Sequence, residues 1–252
     1  SYEQALQKAQ ELGFAEADPT NDVKGKDAAY KMVILSQFSF GTRVPVAAVA
    51  TEGIDQVAAQ DVAQAAAFGY TIKLVGVARL AGDGLFVEVA PALVNRHHPL
   101  AEVNNENNAV MVRGQAVGDT LFYGPGAGGL PTANSVLSDI TTVMKNMILK
   151  TNGNSFNRYS KQLTLAEPAA VKDRYYLALT LPDQPGEMQK LTTVMAKLNA
   201  SFSQIVQQAG QNGQARVMII THEMSKAQLA QLQAALAALK TATLHCAYRV
   251  NE

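Results

Sequence analysis

The spacing of apolar and polar positions divides the first part of the chain into helical and extended segments. Helical periodicity predicts helices in "YEQALQKAQEL" and "DAAYKMVILSQFSF", ended by Gly13 and Gly41. The alanine-rich "AAQDVAQAAAF" predicts a third helix, ended by Gly69. β-Rich runs predict a strand in "RVPVAAVATEGI" and a hairpin made of "TIKLVGVARL" and "LFVEVAPALV".

The pattern changes along the rest of the chain. "NAVMVRG" and "GDTLFYG" predict a second strand pair, and "GPGAGGLPTANSVLSDITTVMKNMI" predicts a tight loop that leads directly into a long helix. Residues 151–172 are polar and without a clear period, so we interpret them as a linker. The elements that follow have the order βαββαβ, which is typical of a ferredoxin-like sandwich. The chain is therefore predicted to be α+β, with a mixed-sheet domain at residues 1–150 and a ferredoxin-like domain at residues 173–252.

Composition and charge exclude several classes of function. The 21 basic and 21 acidic residues balance, so there is no basic excess to bind nucleic acid or an acidic membrane surface. The single cysteine, Cys246, excludes an intrachain disulfide and is typical of a reducing cytoplasm. No apolar run reaches the length of a transmembrane helix. The chain starts without Met and almost at once in a helix, so we interpret it as part of a longer protein.

Charged residues concentrate in one predicted turn, "EADPTNDVKGKDAAYK", at residues 16–31. Asp27 and Lys31 are four residues apart on a predicted helix, which describes an ordinary surface ion pair. The helical neighbours of Lys31 also include Ala28 and Ile34, and a lysine on an apolar face must either extend to solvent or be held by a partner and partly desolvated. Desolvation lowers the pKa of a lysine and a nearby carboxylate raises it, which would suit an amine that exchanges protons. Spacing alone leaves both interpretations open. Asp22 or Asp27 is expected to cap the helix.

The same segment resembles the substrate-binding signature of the homoserine dehydrogenase family: Glu-x-Asp-Pro, an Asp, a Gly, and then Asp-x-x-x-Lys. "ATEGI", "FGYTIKLVGVA", "HHPLAEV", "NAVMV" and "YGPGAGGLPTANSVLSD" follow in the family's order, so the resemblance extends to about residue 150. It implies NAD(P)-dependent interconversion of L-aspartate 4-semialdehyde and L-homoserine, in threonine, methionine and isoleucine biosynthesis.

The resemblance also implies roles for individual residues. Lys31 would give the proton to the substrate's carbonyl oxygen, and Asp27 would bind substrate and orient Lys31. Glu16 would hold the substrate's ammonium group, which requires a carboxylate, and Asp22 belongs to the same acidic cluster and would also bind substrate. Cofactor contacts are implied at three glycines: Gly13, Gly126 and Gly128. The glycine-rich loop is equally well explained as a plain tight turn.

The dinucleotide fingerprint G-x-G-x-x-G after a strand is missing from the chain. We therefore expect NAD or NADP to be bound mainly by a domain outside this chain, and the chain alone to be inactive. A metal site is not expected, because His97 and His98 are adjacent on a loop and have no carboxylate or cysteine at ligand spacing.

The last domain resembles an ACT domain, whose hallmark is a strand, Asp-x-Pro-Gly and a helix. Asp183, Pro185 and Gly186 match it. The resemblance implies a regulatory domain that binds a small amino acid such as L-threonine, in a homodimer or a higher homo-oligomer. Two alternatives remain. The domain could be a structural or dimerisation appendage, or the whole chain could be a non-catalytic amino-acid-binding module whose first domain serves for oligomerisation.

Overall fold

The computed structural model of the protein describes residues 2–15, 17–126, 128–151, 162–210 and 212–252. The helices, in chain order, are α1 Tyr2–Glu11, α2 Thr20–Val23, α3 Lys26–Phe40, α4 Ala59–Ala67, α5 Gly129–Leu149, α6 Glu187–Lys197 and α7 Lys226–Ala238. The strands are β1 Ala50–Thr51, β2 Tyr70–Ala81, β3 Gly84–Asn95, β4 Asn107–Gly114, β5 Gly118–Pro125, β6 Lys172–Pro182, β7 Phe202–Ala209, β8 Gln214–Thr221, β9 Met224–Ser225 and β10 Thr243–Asn251.

One mixed sheet runs through most of the described chain. Its strand order is β1-β3-β10-β6-β8-β7, with β2 paired to β3 and β9 paired to β6. The pairs β1–β3 and β3–β10 are parallel, whereas β2–β3, β10–β6, β6–β8 and β7–β8 are antiparallel. The predicted α+β class with a mixed sheet is confirmed. Strands from before and after the predicted linker belong to the same sheet, because β3 pairs directly with β10, with Ala92 opposite Arg249.

Residues 172–252, which we call the C-terminal unit, have the predicted βαββαβ order with the short β9 added. Strands β10, β6, β8 and β7 form its antiparallel part. Alternate residues of β6, such as Leu177 and Leu179, are fully buried with Leu191 of α6 and Leu232 of α7. Helix α7 begins at a capping box in which Ser225 and Gln228 satisfy each other's backbone amides. The two helices therefore cover one face of this antiparallel sheet.

Helix α4 of the preceding part of the chain covers the other face of the same sheet. Tyr176 and Tyr248 stack on this face and pack against α4. The Asp61 carboxylate of α4 is almost fully buried and accepts hydrogen bonds from Tyr176 Oη (2.9 Å) and Arg216 Nη2 (2.6 Å). An unpaired carboxylate would be costly to bury here, so these two donors stabilise the contact between α4 and the C-terminal unit.

Helix α3 packs on the β2–β3 hairpin. Its buried residues Ala29 and Met32 share a core with Val87 and Val89 of β3. Gly76 of β2 makes this approach possible, because a Cβ atom there would lie 2.5 Å from Met32 Sδ. Gly41 ends α3 in the left-handed conformation (φ 64°), as the sequence predicts.

The strand predicted in "RVPVAAVATEGI" is wrong over most of its length. Residues Val46–Ala48 form a 3-10 turn that starts at Pro45, with Ala48 N donating to Pro45 O at 2.9 Å. Pro45 has no backbone N–H to donate to a ladder, so it interrupts the predicted strand, and its carbonyl accepts the first hydrogen bond of the turn. Only the two residues of β1 are extended and paired.

The predicted linker falls partly outside the described residues, at 152–161. Its later part is packed against the first hairpin. Leu85 N donates to Thr164 O (2.9 Å), Ala166 N donates to Leu85 O (3.0 Å), and Val171 is buried. Residues 162–171 are therefore held in place rather than loosely ordered.

Strands β4 and β5 with helix α5 form a separate feature, which we call the arm. Among the described strands, β4 and β5 pair only with each other, as a two-stranded sheet. No described residue of α5 is buried. Large apolar side chains are exposed on both parts of the arm: Val112, Val117, Leu121, Phe122, Tyr123, Leu130, Val136, Leu137, Ile140, Val143, Met144, Met147, Ile148 and Leu149. Among the described helices, including the 21-residue α5, none combines the length and hydropathy needed to cross a bilayer.

The buried Asp61 contact gives a stability prediction. Replacing Asp61 with Asn should lower the free energy of unfolding by about 2–3 kcal/mol, because hydrogen bonds with a charged partner contribute about 1.5–3 kcal/mol each. Urea unfolding followed by circular dichroism measures this. Asp83→Asn, in the exposed β2–β3 turn, is the control and should change stability little. Equal stability of the two variants would contradict the assigned role of Asp61.

Candidate functional site

The charged segment folds as two helices joined by a sharp turn. Helix α2 ends at Val23 and α3 begins at Lys26, so Lys24 and Gly25 form the connection. Gly25 has φ 73°, a conformation that favours glycine. A Cβ atom there would also lie 3.2 Å from Val89 Cγ1 and 3.3 Å from Thr51 Cγ2. Glycine is therefore needed at this position both for its conformation and for close packing on the main sheet.

A second close approach fixes the same turn from the other side. Ile54 N donates to Val23 O at 2.9 Å, and a Cβ atom on Gly53 would lie only 2.3 Å from that oxygen. The Lys24 ammonium forms an ion pair with Asp55 Oδ2 at 2.7 Å, and this contact lowers the pKa of Asp55. Residues 51–55 thus clamp the connection between α2 and α3, chiefly through backbone atoms.

Lys31 and Asp27 form the expected pair on α3, with Lys31 Nζ 2.5 Å from Asp27 Oδ2. Their side chains are 56% and 45% exposed. Of the two alternatives for Lys31, the structure shows the exposed one, because Ile34 on the same helical face is itself exposed and does not desolvate the lysine. The pair therefore lies at the surface of α3, open to a ligand or to a covering partner.

The acidic residues near this pair differ in their roles. Asp18 accepts hydrogen bonds from Thr20 N (3.1 Å) and Thr20 Oγ1 (2.5 Å), which lower its pKa. Asp22 is exposed on α2. Neither Asp22 nor Asp27 caps a helix as expected, because Gly25 occupies the N-cap position of α3 without a side-chain hydrogen bond. Neither carboxylate therefore forms a helix-capping hydrogen bond, and both lie near the turn. Glu16 lies outside the described residues.

The three glycines proposed for cofactor contact lie in two loops, one after α1 and one between β5 and α5. Gly13 follows α1 with φ 73° and ends that helix, as the sequence predicts. Gly126 N donates to Glu106 O (3.2 Å), and Gly128 (φ 112°) precedes the first turn of α5. No described side chain caps the amino end of α5. Pro131 has no N–H and Thr132 N donates to Gly128 O (3.2 Å), so the amides of Gly129 and Leu130 are the ones that could meet a phosphate or a carboxamide oxygen.

Two acids near the turn had no role in the sequence interpretation. Glu52 N donates to Val89 O (2.8 Å) directly beneath the turn. Partial desolvation, together with the charges of Glu88 and Asp55, raises the pKa of the Glu52 carboxyl, although the residue as a whole is exposed to solvent. Glu88 lies on β3 and is paired with residues more than 130 positions away. The sequence analysis included Glu52 only as part of the motif "ATEGI", without a role of its own. No local sequence pattern identifies Glu88 as part of an ion cluster.

The predicted effector loop lies at the start of α6. Asp183 is exposed and accepts a hydrogen bond from Gln207 Nε2 at 3.1 Å. Gly186 is left-handed (φ 94°) and stands at the N-cap of α6, where it makes no side-chain hydrogen bond. The loop thus presents a carboxylate beside an uncapped helix amino end, the two groups that an amino acid's ammonium and carboxylate would require.

The remaining reactive side chains have structural surroundings. His98 Nδ1 accepts from Leu100 N (3.1 Å) and caps a short 3-10 helix. Burial raises the pKa of the Cys246 thiol to about 12, so it is a weak nucleophile. Within the part of the chain that the structure describes, no three His, Cys, Asp or Glu residues come together as a possible metal site.

Sequence comparison places these features in a known family. The model of the family described as "Homoserine dehydrogenase" matches residues 1–141. The homoserine dehydrogenase of Lactococcus lactis is 42% identical over 233 residues, which are 92% of this chain and 54% of that protein. That of Bacillus subtilis is 43% identical over 233 residues, with the same coverage. The chain thus spans about half the length of the curated relatives it matches.

Structural comparison gives the same result. A homoserine dehydrogenase from Thiobacillus denitrificans matches all of this chain with a TM-score of 0.90 and 33% identity, over 58% of its own chain. The homoserine dehydrogenase of S. aureus also matches all of it, with a TM-score of 0.73 and 30% identity, over 59% of its own chain. The family model covers the segment with the Asp27–Lys31 pair, and both solved structures reproduce the fold that holds it. The chain belongs to the homoserine dehydrogenase family.

Proposed function

We propose that this chain carries the substrate site of an enzyme that interconverts L-homoserine and L-aspartate 4-semialdehyde with NAD or NADP, in the cytoplasmic biosynthesis of threonine and related amino acids. The observation that carries the proposal is the Asp27–Lys31 pair, held on a clamped turn and left open at the surface. The family match over residues 1–141 argues against a non-catalytic module, because that alternative gives the Asp27–Lys31 pair no role.

The proposed chemistry assigns one step to each charged group. The Lys31 ammonium donates a proton to the carbonyl oxygen of the semialdehyde, and in reverse the neutral amine accepts the proton of the homoserine hydroxyl. Asp27, 2.5 Å from Lys31 Nζ, holds the lysine in position and contacts the substrate. Asp22 and Glu16 provide carboxylates for the substrate's ammonium group.

A nicotinamide cofactor, when bound, supplies or accepts the hydride. The chain's own residues fit only part of such a cofactor. The amino end of α5, reached through Gly126 and Gly128, offers free backbone amides, and Gly13 ends the helix before the charged segment. We propose that a dinucleotide-binding domain, in the part of the relatives that this chain does not span, holds the rest.

The C-terminal unit is proposed to be an ACT domain that senses an amino acid, with L-threonine as the effector. Asp183 would accept the effector's ammonium group, while Pro185 and Gly186 shape the loop so that the α6 amides meet its carboxylate. The shared sheet supports a regulatory role for this unit. A ligand at the loop binds a unit whose strand β10 pairs directly with β3 of the first hairpin.

The arm is proposed to bind a second copy of this chain. A two-stranded hairpin alone is marginally stable in water, and α5 exposes its apolar residues along its whole length. The arm is also close to neutral, since α5 contains only Asp139 and Lys145 as charged residues, and the hairpin pairs Arg113 with Asp119. Such a surface can pack against its own copy without like-charge repulsion.

The proton-transfer role predicts a large kinetic effect. The test uses a chimera in which the dinucleotide-binding part of the Bacillus subtilis relative precedes this chain. Lys31→Ala should lower kcat by about 10²–10⁴-fold, the typical contribution of a general acid or base, with absorbance of the reduced cofactor as the measurement.

Lys26→Ala is the control for this experiment. Lys26 is an exposed lysine in the first turn of the same helix, α3, and it is not part of the contacts that clamp the turn. It should retain turnover within a few-fold of the parent. A folded Lys31→Ala chimera with near-normal turnover would overturn the assignment, and a parent chimera without activity would overturn the proposed function.

The effector role predicts threonine binding by the chain itself. Asp183→Ala should weaken binding at least about tenfold, a loss of about 1.4 kcal/mol, in isothermal titration calorimetry with L-threonine. Asp83→Ala, another exposed acid on a turn, should bind as the parent does. Unchanged binding in Asp183→Ala, or none in the parent, would contradict the sensor role and favour a structural appendage.

The arm predicts a concentration-dependent assembly. Replacing both Phe122 and Ile148 with Asp should shift the sedimentation coefficient of the chain to that of a monomer, because both side chains are exposed on the arm. Leu80→Asp, an equally apolar exposed position on β2, should leave assembly intact. A parent chain that sediments as a monomer at all concentrations would rule out the proposed role of the arm.

A further inference from the structure

A group of five charged side chains lies at the seam between the first hairpin and the C-terminal unit. We call it the Glu88 cluster, and its members are Arg79 of β2, Glu88 of β3, Asp173 of β6, Lys226 of α7 and Arg249 of β10. Lys226 Nζ donates to Glu88 Oε1, and Arg249 Nε lies 3.7 Å from Glu88 Oε2. Glu88 is only 16% exposed, so its carboxylate depends on these two cations from the C-terminal unit.

The cations depend equally on Glu88. The Arg249 side chain is 4% exposed, and of its guanidinium nitrogens only Nη1 has a hydrogen bond within the described residues, to Asn251 Oδ1 at 3.2 Å. Burial lowers the pKa of Arg249, whereas the charges of Glu88 and Asp173 raise it. Asp173 is already paired with Arg79 Nη2 at 2.7 Å. Among the described residues, loss of the Glu88 charge therefore removes the ion-pair partner of Lys226 and leaves Arg249 with the weaker influence of Asp173, which is already paired with Arg79.

The backbone next to Glu88 supports the site. Glu88 pairs with Ala50 and Val89 pairs with Thr51 in the β1–β3 ladder. Val89 O accepts from Glu52 N at 2.8 Å, and the Val89 side chain limits the space at Gly25. The side chain of Glu88 is thus held by the C-terminal unit, while its backbone carries the segment that clamps the turn before Lys31.

We propose that Glu88 is a positioning residue of the candidate site, through which Lys226 and Arg249 of the C-terminal unit determine where the turn between α2 and α3 lies. The inference rests on the proposed function only for its kinetic consequence. Its structural content is that the ion cluster and the turn move together, because they are attached to the adjacent residues Glu88 and Val89 of β3.

The contact between Asp61 and Arg216 provides a matched control. It also joins a buried carboxylate to a cation of the C-terminal unit, at 2.6 Å. Its partners, Tyr176 and Arg216, belong to the face of the sheet that α4 covers. Glu88→Gln and Asp61→Asn therefore remove the same kind of interaction, but only Glu88 is one residue from the backbone that supports the turn.

Hydrogen exchange of the chain, read by mass spectrometry, tests the structural part. In Glu88→Gln, amides of residues 22–31 and 51–54 should exchange faster, on the order of tenfold, because the local opening free energy falls. Asp61→Asn should leave these amides near the parent's rates. Lys226→Met, a change at a more exposed position, should act as Glu88→Gln does but more weakly, and it decides the matter if Glu88→Gln does not fold.

The kinetic part uses the chimera described above. Glu88→Gln should raise the KM for homoserine by about tenfold with a smaller change in kcat, whereas Asp61→Asn should change both less than about twofold. Unchanged exchange at residues 22–31 in both Glu88→Gln and Lys226→Met overturns the inference, whatever the activity. A parent chimera without turnover overturns the proposed function, and the exchange data still decide the role of Glu88.

Discussion

The parallel pairing of β3 with β10 is the interaction on which the rest of the structure depends. It places Arg249 beside Ala92 and joins the first hairpin to the C-terminal unit in one sheet. Since the seam is internal, charged side chains that reach it must be neutralised there. Glu88 with its two cations meets this requirement at the seam, and the pair of Asp61 with Arg216 of β8 meets the same requirement where α4 covers the sheet. The two parts of the chain therefore share both a backbone ladder and buried charges.

This arrangement explains how an exposed ion pair can be held in a defined position. Asp27 and Lys31 have no buried anchor of their own, and the N-cap of α3 makes no side-chain hydrogen bond. Their placement follows from the close backbone approaches at Gly25 and Gly53, which attach the start of α3 to β3 and to the segment after β1. Close backbone packing of this kind tolerates little displacement. A small shift of β3 would therefore displace the Asp27–Lys31 pair by a similar amount.

The sequence was sufficient where the signal was local. Periodicity and terminal glycines predicted α1, α3 and α4, because a helix and its end depend on neighbours within a few positions. The strand around Pro45 was wrong because turn formation by proline prevailed over β-propensity. The exposure of Lys31 stayed open at the level of sequence, since periodicity shows which residues share a face but not what covers that face. Glu88 could not be found, because its partner Lys226 is 138 positions away.

The exposure of the Asp27–Lys31 pair also constrains the proposed chemistry. An ion pair in water is weakly coupled and screened, whereas proton transfer to a carbonyl oxygen is efficient when water is excluded and the donor is fixed. Tyr30 and Ile34, exposed on either side of Lys31, form an apolar rim around it. The proposed reaction therefore requires a cover over Lys31, and under the proposed function the bound substrate and the proposed dinucleotide-binding domain would provide it. Covering would remove the solvent from Lys31 while the turn beneath it stays fixed by β3, so that the proton donor is desolvated without being displaced.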